Sequence, residues 1–111
     1  MAGTIVLMHF AQPAIESAKA LKVGATETDL LLKLTTEFDA IAAGAPGPDR
    51  KAALVAKTRE IHMVAQKIQV AAVANIGGAA ELANRPDCAE LIEKLQKLRN
   101  TAALEATRTN A

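Results

Sequence analysis

The residue types best suited to chemistry in this chain are two histidines, each beside a methionine, in the pairs Met8-His9 and His62-Met63. Imidazole and thioether side chains are axial ligands that helical proteins use to hold haem iron. If His9 lies on a first helix and His62 on a third helix parallel to it, His9 would be about 8 Å from the start of its helix and His62 about 21 Å from the start of its own. One iron cannot bridge that offset, and the chain has no Cys-x-x-Cys-His sequence for covalent attachment. We therefore predict no haem.

His62 is also a candidate phosphoryl acceptor. Segment 59–62, Arg-Glu-Ile-His, resembles the histidine segment of some sensor-kinase dimerisation helices. Phosphotransfer modules usually carry Lys three residues after their histidine and Gly seven residues after it, where this chain has Ala65 and Gln69. We favour a solvated polar face that His62 forms with Arg59, Gln66 and Gln69. A phosphotransfer or dimerisation signalling module that uses His62 is the alternative.

The spacing of the other candidate residues predicts neither a metal site nor a reactive thiol. A di-iron bundle needs Glu-x-x-His pairs whose side chains share a helix face, whereas Glu60 and His62 are two residues apart. Zinc sites take Cys and His ligands in clusters, and the chain has one cysteine and two scattered histidines. Cys88 lies near a predicted helix N-terminus, where a thiolate is stabilised, but its register with Leu91 and Leu95 predicts burial. The sequence predicts no catalytic residue, no cofactor and no metal.

Composition narrows the class of protein further. The 111 residues carry 13 basic and 12 acidic side chains, and the aromatic residues are two phenylalanines. Nucleic-acid binding needs a basic excess and usually aromatic platforms, so we expect no nucleic-acid partner. The apolar run from Thr4 to Ala11 is too short to span a membrane and lacks the basic flank of a signal peptide. A single cysteine suits a reducing compartment, so we expect a cytoplasmic protein. The length of the chain predicts one domain, 1–111.

The elements that carry these residues are predicted by apolar side chains that recur every three or four residues, which places them on one helix face. Three stripes comprise Leu30, Leu31, Leu34, Phe38 and Ile41; Ile61, Val64, Ala65, Ile68 and Ala72; and Cys88, Leu91, Ile92, Leu95, Leu98 and Ala102. Turn signals at segments 44–49 and 84–87 separate them. Short connections favour antiparallel neighbours. The predicted fold is all-α, an up-down-up-down four-helix bundle.

The helix boundaries follow from capping signals. The first helix is predicted from about Thr4 to Val23, and the second, capped by Thr26 or Thr28, to about Ala43. The third is predicted from Pro48 to at least Ile76, and the fourth from Asp87 to about Thr107. The first helix is predicted to kink at Pro13, which removes a backbone donor, and to end at a left-handed Gly24; an extended arm before Pro13 is the alternative. The pair Gly77-Gly78 either ends or kinks the third helix. Asp87 and Glu90 resemble a capping box for the fourth.

The third predicted helix is apolar on more than one face, because Val70, Ala71, Val73 and Ala74 extend beyond its main stripe. Such a helix is either central to a bundle or docked against a partner, and burial is the favoured interpretation. A bundle with an Ala-rich core of moderate stability can nevertheless release or share a helix. The predicted partner contacts are Ile61, Val64, Ile68 and Ala72. The expected partner is a protein, with an amphipathic helix or a second copy of this chain as candidates.

Two stretches resemble a known class of helical bundles. Segment 79–87 (Ala-Ala-Glu-Leu-Ala-Asn-Arg-Pro-Asp) and segment 94–103 (Lys-Leu-Gln-Lys-Leu-Arg-Asn-Thr-Ala-Ala) are similar to the talin-rod and vinculin/catenin class. Rod bundles of that class use many Ala and Thr residues, few aromatics, and interhelix turns of the Asn/His-Pro-Asp type. The resemblance implies a non-catalytic scaffold module in adhesion or the cytoskeleton.

Overall fold

The apolar periodicity of the chain is realised as four α-helices and one 3-10 helix in the computed structural model, which describes residues 6–108. The elements are α1 (Met8–Ala20), α2 (Ala25–Ala42), α3 (Pro48–Asn75), the 3-10 helix Ala79–Asn84, and α4 (Pro86–Thr107). No β-strand occurs between residues 6 and 108, so the all-α prediction is confirmed. Thr4, the predicted start of the first helix, lies outside the described residues.

Each α-helix packs mainly against two others. α1 contacts α2 and α4, and α3 also contacts α2 and α4, while the 3-10 helix rests on α3 and α4. At about 1.5 Å per residue, the 28 residues of α3 extend about 42 Å. The molecule measures 45 × 23 × 20 Å, so α3 runs along nearly its whole length.

The predicted stripes supply most of one continuous core. Its buried apolar residues are Leu7, Ala11, Ala14, Ile15, Ala18, Val23, Leu31, Leu34, Phe38, Ala42, Leu54, Ile61, Val64, Ala65, Ile68, Ala72, Cys88, Leu91, Leu95, Leu98, Ala102 and Ala106. The many alanines contribute little burial each but let helix backbones approach closely. Three stripe members differ from the prediction: Leu30 is 41% exposed, and Ile41 and Ile92 are only partly buried at the edge of the core.

The N-terminus of α1 is capped by a side chain from another helix. The carboxylate of Asp39 in α2 accepts hydrogen bonds from the backbone N–H of Leu7, at 2.7 Å, and of Met8, at 3.0 Å. These donors have no partner within α1, as is general for a first helical turn. Pro13 lies inside α1, so the alternative of a helix that starts at Pro13 is wrong. The kink there stays a prediction.

α1 ends earlier than predicted, at Ala20 and not at Val23. The N–H of Val23 donates to the carbonyl of Ala18 at 3.1 Å, and the N–H of Lys22 donates to that of Lys19 at 3.0 Å. This pair of bonds is a Schellman motif, and its left-handed residue is Lys22, with φ of 58°. The predicted end of α1 at Gly24 is therefore wrong, because the chain turns two residues earlier.

α2 begins without the predicted threonine cap. Gly24, also left-handed with φ of 60°, is the residue before the helix. Thr28 is buried and its hydroxyl donates to the carbonyl of Ala25 at 2.9 Å. The helix ends at Ala42, close to the predicted Ala43, and the guanidinium of Arg50 donates to the carbonyl of Ala42. A cation there also stabilises the negative C-terminal end of the helix dipole.

The two glycines after α3 end the helix and do not kink it. The N–H of Gly78 donates to the carbonyl of Val73 at 2.9 Å, and the N–H of Gly77 donates to that of Ala74 at 3.2 Å. Gly77 has φ of 98°, which a residue with a side chain rarely adopts. The predicted start of α3 at Pro48 is confirmed.

α4 begins at Pro86, and the predicted capping box is wrong. Asp87 is the second residue of the helix, and no cap bond to Glu90 forms. Its carboxylate instead accepts the N–H of Cys88 at 2.9 Å and pairs with the guanidinium of Arg85 at 3.1 Å. The hydrogen bond from the Arg85 guanidinium, and to a lesser extent the one from the Cys88 N–H, lowers the pKa of Asp87 below its usual range and keeps it ionised beside the positive helix end.

Candidate functional site

A shallow apolar groove lies between the first turn of α2 and the C-terminal half of α3. Its volume is about 500 Å³, and it is lined by Glu27, Met63, Gln66, Lys67, Val70 and Ala71. The α3 members recur every three or four residues, so they form one strip along that helix. Five of the six lining residues therefore come from a single helix.

The groove is apolar because of two side chains that are not buried in the core. Met63 is 62% exposed and Val70 is 61% exposed. An adjacent set of exposed apolar side chains is typical of binding surfaces, whereas single exposed ones are ordinary.

Two opposite charges accompany these apolar side chains. Glu27 lies in the first turn of α2 and Lys67 lies on α3 between Met63 and Val70. Neither forms an ion pair with another residue in the range 6–108. Both charges are therefore available to polar groups of a molecule that occupies the groove.

The structure places the four predicted partner contacts in the core. Ile61 and Ile68 have no exposed surface, Ala72 is 1% exposed and Val64 is 5% exposed. They form the inner seam of α3, so they can meet a partner only if α3 leaves the fold. Surface contact through these four residues is not available in this conformation.

The groove lies on the same helix as the predicted partner contacts, but on a different face of that helix. The available signal was the apolar excess of α3 outside its main stripe, which included Val70 and Ala71. The sequence marks Met63 only as a possible metal ligand beside His62. The involvement of Glu27 depends on how α2 packs on α3, which the sequence does not show.

His62 lies at the interface between α3 and α4 and is half-buried. Its Nε2 is 3.2 Å from the carbonyl oxygen of Arg99. When Nε2 carries the proton and donates to that carbonyl, Nδ1 is the nitrogen with the free lone pair. His62 thus anchors to α4 and does not belong to a fully solvated face, although Arg59 and Gln66 nearby on α3 are exposed.

Cys88 is fully buried in the first turn of α4. Burial raises the pKa of its thiol, and the negative charge of Asp87 raises it further. A thiol in this environment is protonated at neutral pH and is a poor nucleophile. The prediction that Cys88 is buried is confirmed.

An ion pair connects α2 and α3. Lys57 Nζ lies 2.8 Å from Glu37 Oε1 and 3.5 Å from Glu60 Oε1. The hydrogen bond from Lys57 lowers the pKa of Glu37, and the same bond raises the pKa of Lys57. Glu37 and Lys57 thus join α2 to α3.

Metal chemistry has no obvious location in the part of the chain that the structure describes. No group of three or more His, Cys, Asp or Glu side chains within residues 6–108 is arranged to hold a metal ion. None of the helices in that range is long and apolar enough to cross a membrane.

Comparisons with protein-family models, curated proteins and solved structures find no match to this chain.

Proposed function

We propose that this chain is a non-catalytic protein-interaction or scaffold module that receives an amphipathic helix of a partner protein in the groove between α2 and α3. The observation that carries the proposal is the pair Met63 and Val70, each more than half exposed on one strip of α3. They are seven residues apart, about 10 Å along the helix. That spacing matches apolar anchors two turns apart on a docking helix.

The charges beside the groove favour a partner helix that carries both basic and acidic side chains beside its apolar face. Glu27 and Lys67 have opposite signs and no ion-pair partner among residues 6–108. A partner helix with a basic side chain near Glu27 and an acidic one near Lys67 would pair with both. Such flanking charges set orientation and association rate more than affinity.

The proposed scaffold is an up-down-up-down four-helix bundle. Its support is the neighbour pattern, in which each α-helix packs against the ones that precede and follow it and α1 meets α4. The connections α1–α2 and α2–α3 are short, which favours antiparallel neighbours. We include in this proposal the adhesion or cytoskeletal role implied by the talin-rod and vinculin/catenin resemblance, and a cytoplasmic location, which suits the buried free thiol of Cys88.

Selection of helical peptides from a displayed library against the whole chain tests the proposal. Binding of the selected peptides should be lost in the variants Met63→Asp and Val70→Asp. Leu104→Asp is the matched control, because Leu104 is 66% exposed on α4 and lies away from the groove. Circular dichroism checks that all three variants fold. Peptides that bind the groove variants as well as the control would contradict the proposal.

The alternative is a phosphotransfer module that uses His62. The favouring observation is the contact of Nε2 with the Arg99 carbonyl, which leaves Nδ1 as the nucleophilic nitrogen. Incubation with phosphoramidate, a small phosphoryl donor, tests it by phosphorus NMR. Phosphohistidine that disappears in His62→Ala but persists in His9→Ala would support the alternative, and no incorporation would remove it.

A further inference from the structure

A second cavity lies between α1 and α4, two helices that do not line the groove. Its volume is about 310 Å³, at the lower end of the range for small-molecule sites. The described residues that line it are His9, Phe10 and Pro13 from α1 and Lys94 and Lys97 from α4. Three of them are of basic type, two are apolar and none is acidic.

Lys97 supplies a positive charge that the fold itself does not use. It forms no ion pair with any residue between 6 and 108. Lys94, one turn earlier, is held in place, since its Nζ donates to Ser17 Oγ at 2.8 Å and lies 3.2 Å from Glu90 Oε1. Lys94 therefore links α4 to α1 at one end of the cavity while Lys97 remains available at the other.

Two acidic side chains of α4 also lie near these lysines. Glu90 and Glu93 line a separate shallow depression with the two lysines. Glu90 partly neutralises Lys94, whereas Glu93, four residues before Lys97, makes no ion pair with it. Lys97 thus has no direct ion pair on that side.

The α1 side of the cavity combines one further basic group with an apolar surface. His9 is exposed, while Phe10 and Pro13 are half-buried, with Phe10 packed on the core. An apolar surface beside converging polar groups is the usual composition of a small-molecule site. Lysine binds phosphate as a point charge and does not require the planar geometry that arginine gives to carboxylates.

We propose that the cavity between α1 and α4 binds a small aromatic phosphate monoester. Its phosphate pairs with Lys97 and Lys94 and accepts a hydrogen bond from His9, and its ring lies against Phe10 and Pro13. The site is independent of the groove between α2 and α3.

The test is an NMR titration of the intact, isotopically labelled chain with phenyl phosphate at low ionic strength. We expect saturable shifts that are largest at the amides of His9, Phe10 and Lys97. Lys97→Gln should weaken binding about tenfold, which corresponds to about 1.4 kcal/mol. Lys33→Gln removes the same charge from an exposed site on α2 and should leave the dissociation constant unchanged. Circular dichroism confirms that both variants fold.

Two further probes separate the contributions of the anion and the ring. Inorganic phosphate should bind at the same amides but more weakly, and benzoate should bind more weakly than phenyl phosphate. Equal weakening by Lys97→Gln and Lys33→Gln, or shifts spread over surface lysines, would show nonspecific attraction and overturn the proposal. Equal affinity for inorganic phosphate and phenyl phosphate would overturn the role of Phe10 and Pro13.

Discussion

Replacing Asp39 by alanine should destabilise the fold by about 2 kcal/mol. The change removes two hydrogen bonds, at 2.7 and 3.0 Å, from a carboxylate to the first backbone donors of α1, Leu7 and Met8. A hydrogen bond to a charged group contributes about 1.5–3 kcal/mol when it is well shielded. Asp39 is half-exposed, so water can replace part of each bond, and loss of a helix N-cap costs about 0.5–2 kcal/mol. Because two backbone donors lose their partner, the loss should lie in the upper part of that second range.

Two companion variants separate the cap from nonspecific charge effects. Asp39→Asn keeps one acceptor oxygen but loses the charge, so its loss should be about 1 kcal/mol. Asp29→Ala removes a carboxylate from an exposed position of the same helix and should change stability by less than about 0.5 kcal/mol.

Urea denaturation followed by far-ultraviolet circular dichroism is the suitable assay, since the chain has neither Trp nor Tyr. The midpoint should fall in Asp39→Ala while the slope of free energy against urea stays constant, as expected when only stability changes. If Asp39→Ala and Asp29→Ala lose the same free energy, the cap contributes nothing and the reasoning is refuted.

Three further predictions concern other parts of the fold. Lys22→Gly should stabilise the chain by about 0.5–1 kcal/mol in the same assay, and a loss of stability would contradict this prediction. A left-handed residue with a side chain costs about 1–2 kcal/mol, and the larger conformational entropy of glycine in the unfolded chain offsets part of the gain. Lys57 lowers the pKa of Glu37, so their pair stabilises the fold above the ordinary value of 4.5 and this contribution disappears as pH falls through the lower folded pKa. Denaturation across acidic pH should therefore show a weaker acid dependence in Glu37→Gln, and an identical profile would count against the pair. Phe38→Ala should cost about 3–5 kcal/mol, measured by urea midpoint, because Phe38 is fully buried. The exposed Met63→Ala should cost less than about 0.5 kcal/mol, and similar losses in the two variants would argue against this core.

The fold class and most of the core could be predicted because they depend on local spacing. Apolar residues three or four apart identified Leu31, Leu34 and Phe38 as one buried face, and the same rule placed Leu95 and Leu98 on another. Glycine and proline positions gave good estimates of where α3 begins and ends, since backbone restrictions act within a few residues.

Features that depend on tertiary packing could not be predicted. The cap on α1 comes from Asp39, a residue about thirty positions away, and no local motif predicts it. Lys22 adopts the left-handed conformation two residues before the glycine that the propensity rule favours. The outward positions of Met63 and Val70 depend on which faces of α3 its neighbours cover, so periodicity alone assigned the partner contacts to the inner seam.

The packing of α1 has a consequence for the motions of the native protein. Three of the four main helix interfaces join consecutive α-helices, whereas the interface between α1 and α4 joins the two most distant in sequence, and such contacts generally form late in folding. α1 has 13 residues, about the length at which isolated helices are marginal in water. We therefore expect α1 to undock from α4 as a cooperative unit before the rest unfolds. Native-state hydrogen exchange would show this as a lower opening free energy for amides of α1 than for the central amides of α3.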